Sequence, residues 1–227
     1  MSWIFGLFGV FFLGVPIAFS LGFVTLVGLS GGSIPMEVIV QRMFTGVDNF
    51  ALIAIPLFIL AGNLMAVGGI SRRITSFSES LVGHWPGGLG MVTIVASMIF
   101  AAVTGSAIAA TAAIGGLLIG VMVSKGYSRE YTASLVACAG SIGPIIPPSI
   151  PLVVYGVMVS ASIAKLFMGG VVPGIIMGIA LMIVNYIVSK KRGYVGRETR
   201  SSRAELWAGL KDAILALLMP FIIIGGV

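Results

Sequence analysis

The sequence predicts an all-α integral membrane protein, a polytopic helical bundle with a re-entrant helical hairpin and a discontinuous helix broken by prolines. Hydrophobic residues make up 58% of the 227 residues and charged residues only 9%, whereas soluble domains carry roughly 25% charged residues. Long charge-free stretches alternate with short charged connections. Within one of these stretches, at 144–151, four prolines stand close together.

The charge-free stretches are long enough to supply transmembrane helices, which need about 20 mostly apolar residues. They cover residues 51–71, 85–124, 131–164, 166–189 and 213–227. The net charge of +6 comes largely from one connection, which holds Lys190, Lys191, Arg192, Arg197, Arg200 and Arg203. Basic connections follow the positive-inside rule, so we expect a lipid bilayer as partner and no nucleic acid. Cys138 stands alone in an apolar run and is expected to be a small core residue.

Residues 1–83 are predicted to form scaffold helices with an arm helix that lies in the membrane interface. The first apolar stretch predicts a retained helix over 3–29, because it has no positive leader region and no A-x-A-like cleavage site. A polar connection over 30–50 precedes a second helix over 50–68, which ends at two glycines. The amphipathic stretch 70–83 predicts the arm helix.

Residues 190–227 are predicted to contain a cytoplasmic loop, a second arm helix over 205–212 and the start of a second repeat. The two similar arms hint at an internal repeat. Since the sequence ends within an apolar stretch, we expect a second half beyond it.

Residues 84–189 are predicted to form half of a transport domain. The basic connections at 72–73, 125–129 and 190–203 are expected in the cytoplasm, so an even number of crossings separates them. A broken helix over 130–160 and a helix over 166–189 supply two. Residues 88–124 divide into pieces of about 16 and 13 residues, or about 20–24 Å, short of a 30 Å bilayer core. They predict a re-entrant hairpin, with a pair of tilted short helices as the alternative.

The hairpin tip is the first place where nonhelical backbone is expected at membrane depth. Such backbone is tolerated only when protein buries it or when it lines a polar cavity. Thr104, Gly105 and Ser106, with Thr111 beyond, offer hydroxyls and loosened carbonyls for binding. The alternative is a packing seam of small residues in which each hydroxyl satisfies its own helix.

The second nonhelical place is the proline-rich stretch 140–151. Each proline removes a backbone N–H, so the carbonyls of Gly140, Gly143, Pro144 and Pro147 are expected to lose their helical donors. Residues before proline avoid the helical region, whereas Pro148 can begin a new helix. A simple proline kink, the alternative, requires one proline rather than four.

A helix broken here presents two ends of opposite polarity. The half-helix ending near Ser141 offers carbonyls to a cation, and the one starting near Pro148 and Ser149 offers a positive dipole end to an anion. The apolar spans contain no Asp, Glu or His, and proton coupling normally uses such a group. We therefore expect sodium as the coupling ion, with no other cofactor, bound by Ser106, Ser141, Gly143 and Pro144. A carboxylate in the second half would favour proton coupling instead.

At these residues the sequence resembles the N-terminal half of the large membrane subunit of tripartite ATP-independent periplasmic (TRAP) transporters. The resemblance runs along essentially the whole chain, and its most specific motif is GPIIPPSIP at 143–151. Further matching stretches are RMFTGVD at 42–48, IPLFILAGNLM at 55–65, GHWPGGL at 83–89, TGS at 104–106 and KLF at 165–167.

The resemblance implies one half of an inverted-repeat, elevator-type sodium symporter rather than an enzyme, in the inner membrane of a bacterium or archaeon. It implies a small organic anion such as a C4-dicarboxylate or sialic acid as substrate. A small four-helix membrane subunit and a periplasmic substrate-binding protein are the implied partners. Many family members carry an acidic residue shortly after the hairpin Gly-Ser, where this chain has Ala109, Ala110 and Thr111. The second hairpin with its Pro-Thr motif lies outside these residues.

Other membrane proteins fit the pattern less well. An intramembrane protease needs a base near Ser106, and none is present in the sequence around it. A channel or a structural scaffold does not require the proline break. The main alternative is a dicarboxylate or ion symporter of similar architecture that works without a binding protein.

Overall fold

The computed structural model describes residues 2–31, 35 and 37–226, and these residues form helices and loops without a strand. A short 3-10 turn, Phe50–Ile53, precedes the fourth α-helix. The chain divides into two compact units, Met1–Asn49 and Phe50–Val227. The helices are α1 Ser2–Phe12, α2 Ile17–Ser30, α3 Glu37–Val47, α4 Ala54–Val67, α5 Ile70–Val82, α6 Gly88–Thr104, α7 Ala107–Ser124, α8 Arg129–Gly140, α9 Ile150–Met158, α10 Ile163–Arg192 and α11 Arg203–Gly226.

In the first unit, the predicted single helix over 3–29 is wrong, because the chain breaks between α1 and α2. Pro16 has no N–H to continue the helix, and Gly14 adopts a φ of 76°. The indole of Trp3 lies 3.8 Å from where a Cβ would sit on Gly28, so α2 folds back along α1. Within the predicted connection 30–50, α3 is helical, and residues 32–34 and 36 lie outside the described residues.

In the second unit, α6 is the central helix and packs against α5, α7, α8 and α10. Its core side chains, among them Phe100 and Ile94, are fully buried together with Ile74 of α5 and Ile114 of α7. The predicted helix over 50–68 is confirmed as the turn Phe50–Ile53 followed by α4, and the predicted helix over 70–83 is confirmed as α5. Its place in the membrane interface stays a prediction. The predicted boundaries of the transport-domain half, at residues 83 and 189, stay predictions.

Helix α10 runs antiparallel to α6 and marks heights along the bundle. Its 30 residues span about 45 Å. Close contacts at glycines show what packs at each height. From the C-terminal end of α10 to its N-terminal end, Asn185 meets Gly90, Gly178 meets Met98, Gly174 meets Ile146, Gly170 meets Ile145, and Ile163 meets Gly156. The start of α6 therefore lies near the C-terminal end of α10, and the proline-rich stretch lies nearer its N-terminal end.

A polar network closes the end of the bundle where α6 begins. Asn185, which is fully buried, donates from Nδ2 to the carbonyl oxygen of Gly87 at 3.2 Å and accepts from the Tyr131 hydroxyl at 2.8 Å. The Tyr194 carbonyl accepts from the Gly87 N–H at 2.9 Å, and its hydroxyl accepts from the Ser128 N–H at 3.1 Å. Both ends of the α6–α7 hairpin thus lie at one end of the bundle, as a hairpin requires.

The same network includes Tyr127, whose ring stacks on Tyr194 with the ring centroids 4.1 Å apart. Burial raises the pKa of Tyr127 to about 12. Its hydroxyl therefore stays neutral at physiological pH, and the stacked rings carry no negative charge from this residue.

Three further expectations from the sequence need correction. The second helix of the hairpin, α7, has 18 residues rather than about 13, because it begins directly after Ser106. Both α7 and α10 are long and apolar enough to cross a membrane. The second arm helix and the last apolar segment form one continuous helix, α11, whose Gly209 packs on Phe77 of α5. Cys138 is exposed, since the described residues leave this face of α8 uncovered.

The two lysines that flank the apolar part of α10 test the topology. Lys165 and Lys190 are separated by 25 residues of one helix, or about 37 Å, so we expect them on opposite sides of the membrane. In a Cys138→Ser background, a membrane-impermeant maleimide should label Lys165→Cys in intact cells and Lys190→Cys only after permeabilisation. Labelling of both from the same side would contradict the topology.

Candidate substrate and ion site

The hairpin turns through two residues between α6 and α7. Gly105 closes α6 with a left-handed φ of 61°, which glycine adopts without a steric penalty, and its N–H donates to the Ala101 carbonyl at 2.8 Å. Ser106 then caps α7, since its hydroxyl oxygen accepts from the Ala109 N–H at 3.3 Å. The predicted break at Thr104–Ser106 is confirmed.

The proline-rich stretch separates α8, which ends at Gly140, from α9, which begins at Ile150. Ser149 is fully buried and caps α9 by accepting from the Leu152 N–H at 3.4 Å. Its hydroxyl donates to the Pro144 carbonyl at 2.6 Å, and the Pro147–Pro148 peptide bond is cis. The predicted broken helix is therefore confirmed, and the single-helix kink is excluded.

The two nonhelical segments, predicted from separate stretches of sequence, lie against each other. A Cβ on Gly105 would lie 2.5 Å from the Pro148 carbonyl oxygen. A Cβ on Gly143 would lie 3.1 Å from the Ala107 nitrogen, and one on Gly140 would collide with the Thr111 hydroxyl. Thr111 is thus next to the end of α8 rather than at the tip itself.

The site lies within the apolar length of α10. Ile145 and Ile146 contact Gly170 and Gly174 of that helix, about 10–17 Å from its N-terminal end. Met98 contacts Gly178, and α6 continues for six residues, or about 9 Å, to Thr104. Tip and break therefore reach the same height along α10.

Backbone and hydroxyl oxygens supply the polarity of this site. Among the described residues, the carbonyls of Thr104, Gly105, Gly143 and Pro147 accept no hydrogen bond. The carbonyls of Gly140 and Pro144 have lost their helical donors as expected, but they accept instead from the Gly143 N–H at 3.0 Å and from the Ser149 hydroxyl. A turn and a serine cap replace the lost helical donors there, although each carbonyl keeps a second lone pair.

The predicted hydroxyls differ in their accessibility. Ser141 is exposed and donates to the Cys138 carbonyl at 2.8 Å. Thr104 is buried and donates to the Phe100 carbonyl at 3.1 Å, which leaves its lone pairs available. Neutral oxygens of this kind suit an alkali-metal cation, as in channel filters built from carbonyls.

A cavity of 420 Å³ adjoins the tip and brings in α4, which the sequence reasoning assigned to the scaffold. Thr104, Ser106, Ile150 and Asn63 line it. A Cβ on Gly62 would lie 3.2 Å from Thr104 Cγ2, so α4 passes directly over the tip. The sequence feature that could have indicated a role for α4 at the site is Asn63, the lone polar side chain in its apolar sequence.

The other end of the hairpin has a larger cavity of 570 Å³, lined by Glu79, Lys125, Arg197 and Glu198 among others. Its mixed charges do not select one kind of ion. No group of three or more His, Cys, Asp or Glu residues in the described part of the chain could hold a metal ion. The tip and break, with their uncharged oxygens, form the stronger candidate site.

Comparison with known proteins identifies the family. The model of the DctM component of the tripartite ATP-independent periplasmic transporter matches residues 4–227. The chain belongs to the DctM family. This is a family of transport proteins rather than enzymes, and the described residues include two helices long and apolar enough to cross a membrane.

Curated relatives match nearly all of the DctM chain. It is 46% identical over 226 residues to the isethionate TRAP transporter permease protein DctMQ of Oleidesulfovibrio alaskensis, covering 99% of this chain and 36% of the relative. It is 45% identical over 225 residues to the sialic acid TRAP transporter large permease protein SiaM of Vibrio cholerae, covering 99% and 52%. It is 37% identical over 240 residues to the C4-dicarboxylate TRAP transporter large permease protein DctM of Rhodobacter capsulatus, covering 99% and 54%. The chain thus spans between about a third and half of their length.

The Gly105→Ala substitution tests the contact between the tip and the break. An alanine at a φ of 61° with its Cβ 2.5 Å from a carbonyl is strained, at a cost of about 1–3 kcal/mol. We expect a melting temperature in detergent lower by several degrees, at roughly 2–4 °C per kcal/mol. Gly116→Ala in α7 is the control, since nothing lies within 4 Å of its Cβ position. Equal melting temperatures for the two variants would contradict the contact.

The Ser149→Ala substitution tests the two hydrogen bonds that the Ser149 hydroxyl makes at the proline break, to the Pro144 carbonyl and from the Leu152 N–H. Ser149 and Ser162 both cap helices, but only Ser149 is buried and also donates to a carbonyl. Ser149→Ala should therefore destabilise the chain by about 1–2 kcal/mol more than Ser162→Ala. Thermal unfolding followed by tryptophan fluorescence measures the difference, and an equal effect would remove the role of the Pro144 hydrogen bond.

Proposed function

We propose that the chain forms one half of the large permease of a sodium-coupled secondary transporter that imports a small organic anion across a bacterial or archaeal inner membrane. The observation that carries this proposal is the contact of the hairpin tip with the proline break, where Gly105 meets Pro148. Broken helices that meet in this way form substrate and ion sites in secondary transporters.

The polarity of the helix ends supports an anionic substrate. The N-termini of α7 and α9 both begin at the site, capped by Ser106 and Ser149, and helix N-termini favour negative charge. The cavity beside the tip has no acidic side chain in its lining. The names of the relatives point the same way, because isethionate, sialic acid and C4-dicarboxylates are all small organic anions.

The uncharged oxygens support sodium as the coupling ion. The proposed ligands are the hydroxyls of Ser106 and Ser141 and the carbonyls of Gly143 and Pro144. No Asp, Glu or His lies between residues 88 and 124 or between 131 and 189. Within these residues the site therefore offers no group that takes up the proton that proton coupling requires.

The hairpin geometry supports re-entry rather than two crossings. Its tip stops where α10 still continues for about 10 Å towards Lys165, so the turn lies within the apolar length of α10 rather than at its end. In the proposed mechanism this hairpin and the broken helix move as part of an elevator-type transport domain against a scaffold.

The proposed partners follow from the family. They are a small four-helix membrane subunit, which would stay with the scaffold, and a periplasmic binding protein, which would deliver the substrate. Uptake that persists without the binding protein would favour the alternative, a symporter of similar architecture that acts alone.

The sodium site is tested by Ser106→Ala and Ser141→Ala in the complete transporter. Each substitution removes one proposed oxygen ligand, so the sodium concentration for half-maximal uptake should rise roughly three- to tenfold, or about 0.7–1.4 kcal/mol of binding free energy. Uptake into proteoliposomes is measured against a sodium gradient, with isethionate, sialic acid and succinate as candidate substrates.

Ser124→Ala is the matched control, since Ser124, like Ser141, is exposed and donates to the carbonyl three residues before it at 2.8 Å. It should leave sodium activation unchanged. Unchanged sodium activation in both site variants, at normal abundance, would rule out these ligands.

A further inference from the structure

Asn63 is a polar side chain in a place where apolar residues are expected. It lies in α4, whose sequence AIPLFILAGNLMAV is otherwise apolar. Its side chain is exposed, and among the described residues its amide has no hydrogen-bond partner. An amide without a partner costs several kcal/mol once it is removed from water, so this side chain is available to bind water, a ligand or another protein segment.

The position of Asn63 limits what that partner is. The preceding residue, Gly62, packs against Thr104, which places Asn63 in the lining of the 420 Å³ cavity together with Thr104 and Ser106. The cavity is thus bounded by α4 on one side and by the hairpin tip on the other. A group inside it touches both the proposed scaffold and the proposed transport domain.

The chemistry of the cavity selects an anion with an apolar part. Ser106 uses its oxygen as an acceptor for the Ala109 N–H, and its hydroxyl proton has no acceptor among the described residues. The Asn63 amide offers two further donors. No acidic or basic side chain lines the cavity, and apolar residues such as Phe58, Ile108 and Ile150 form the rest of its wall.

We propose that the Asn63 amide donates a hydrogen bond to the carboxylate or sulfonate of the transported anion, so that α4 contributes a substrate-binding residue opposite the hairpin tip. This inference rests on the proposed transport function and deepens it. Asn63 holds the anion at the moment when the tip lies beside α4, and it releases the anion when the tip moves away.

Three substitutions in the complete transporter distinguish this role from its alternatives. Asn63→Leu removes the amide and keeps a similar volume, Asn63→Asp adds a negative charge, and Asn63→Gln keeps the amide. Leu64→Ala is the control, because Leu64 is 64% exposed and does not line the cavity. Initial uptake rates in proteoliposomes give KM for the anion and the sodium concentration for half-maximal uptake, using whichever of isethionate, sialic acid or succinate the wild type transports.

We expect Asn63→Leu to raise KM about 10- to 100-fold, as loss of a hydrogen bond to a charged group does. Asn63→Asp should raise KM further by charge repulsion, and Asn63→Gln should restore it in part. At saturating anion, the sodium concentration for half-maximal uptake should stay at the wild-type level. Protein abundance should also be unchanged, and Leu64→Ala should behave as wild type. A wild type that transports none of the three anions overturns the proposed function before the variants are compared.

Two results would overturn the proposal while leaving the transport function intact. If Asn63→Asp preserves KM and lowers the sodium requirement, then Asn63 faces a cation. If Asn63→Leu lowers abundance or assembly with the small subunit at unchanged KM, then the amide makes an interhelical hydrogen bond. A second readout uses Asn63→Cys in the Cys138→Ser background: the transported anion should slow maleimide labelling there and not at Leu64→Cys, and equal labelling rates with and without the anion would contradict the role.

Discussion

The candidate site depends on the close approach of two main chains. Gly105 at the hairpin tip touches Pro148, and Gly143 in the break touches Ala107, so backbone meets backbone with no side chain between. Small residues permit this contact in membranes, where packing rather than the hydrophobic effect holds helices together. A side chain at either glycine would separate the segments and remove the cluster of carbonyl and hydroxyl oxygens at their junction.

Helix α10 keeps this junction at a fixed height. Gly170, Gly174 and Gly178 recur every fourth residue on one face, and the break and α6 pack into the space that they leave. At the other end, Asn185 ties α10 to the start of α6 and to α8. The hairpin therefore packs along its length against the glycines of α10 and is held at its base by hydrogen bonds.

The helix breaks could be predicted from the local sequence, whereas the contacts between residues far apart in the chain could not. Four prolines within eight residues require a break, and Gly105 followed by Ser106 marks the end of one helix and the cap of the next. The break at Gly14 and Pro16 carried the same kind of signal, yet the apolar length of 3–29 outweighed it in the prediction. Asn63 marked α4 as unusual, but its sequence did not reveal that α4 lies over the tip, because that contact arises from Gly62 meeting a residue 42 positions away. Cys138 was misplaced for the same reason, since an apolar sequence does not reveal which helix faces stay uncovered.

The hairpin tip and the proline break lie at the same height along α10. Together they give the site both positive and negative helix ends without a charged residue. The C-termini of α6 and α8 bring carbonyl oxygens to the junction, and the N-termini of α7 and α9 bring N–H groups. Each break thus supplies one end for a cation and one for an anion. Under the proposed function, sodium and the organic anion bind within the field of the same four helix ends, and each ion lowers the electrostatic cost of binding the other. Coupling of this kind needs no titrating group within this half, so the affinity for the anion would follow the sodium concentration and the affinity for sodium would follow the anion concentration.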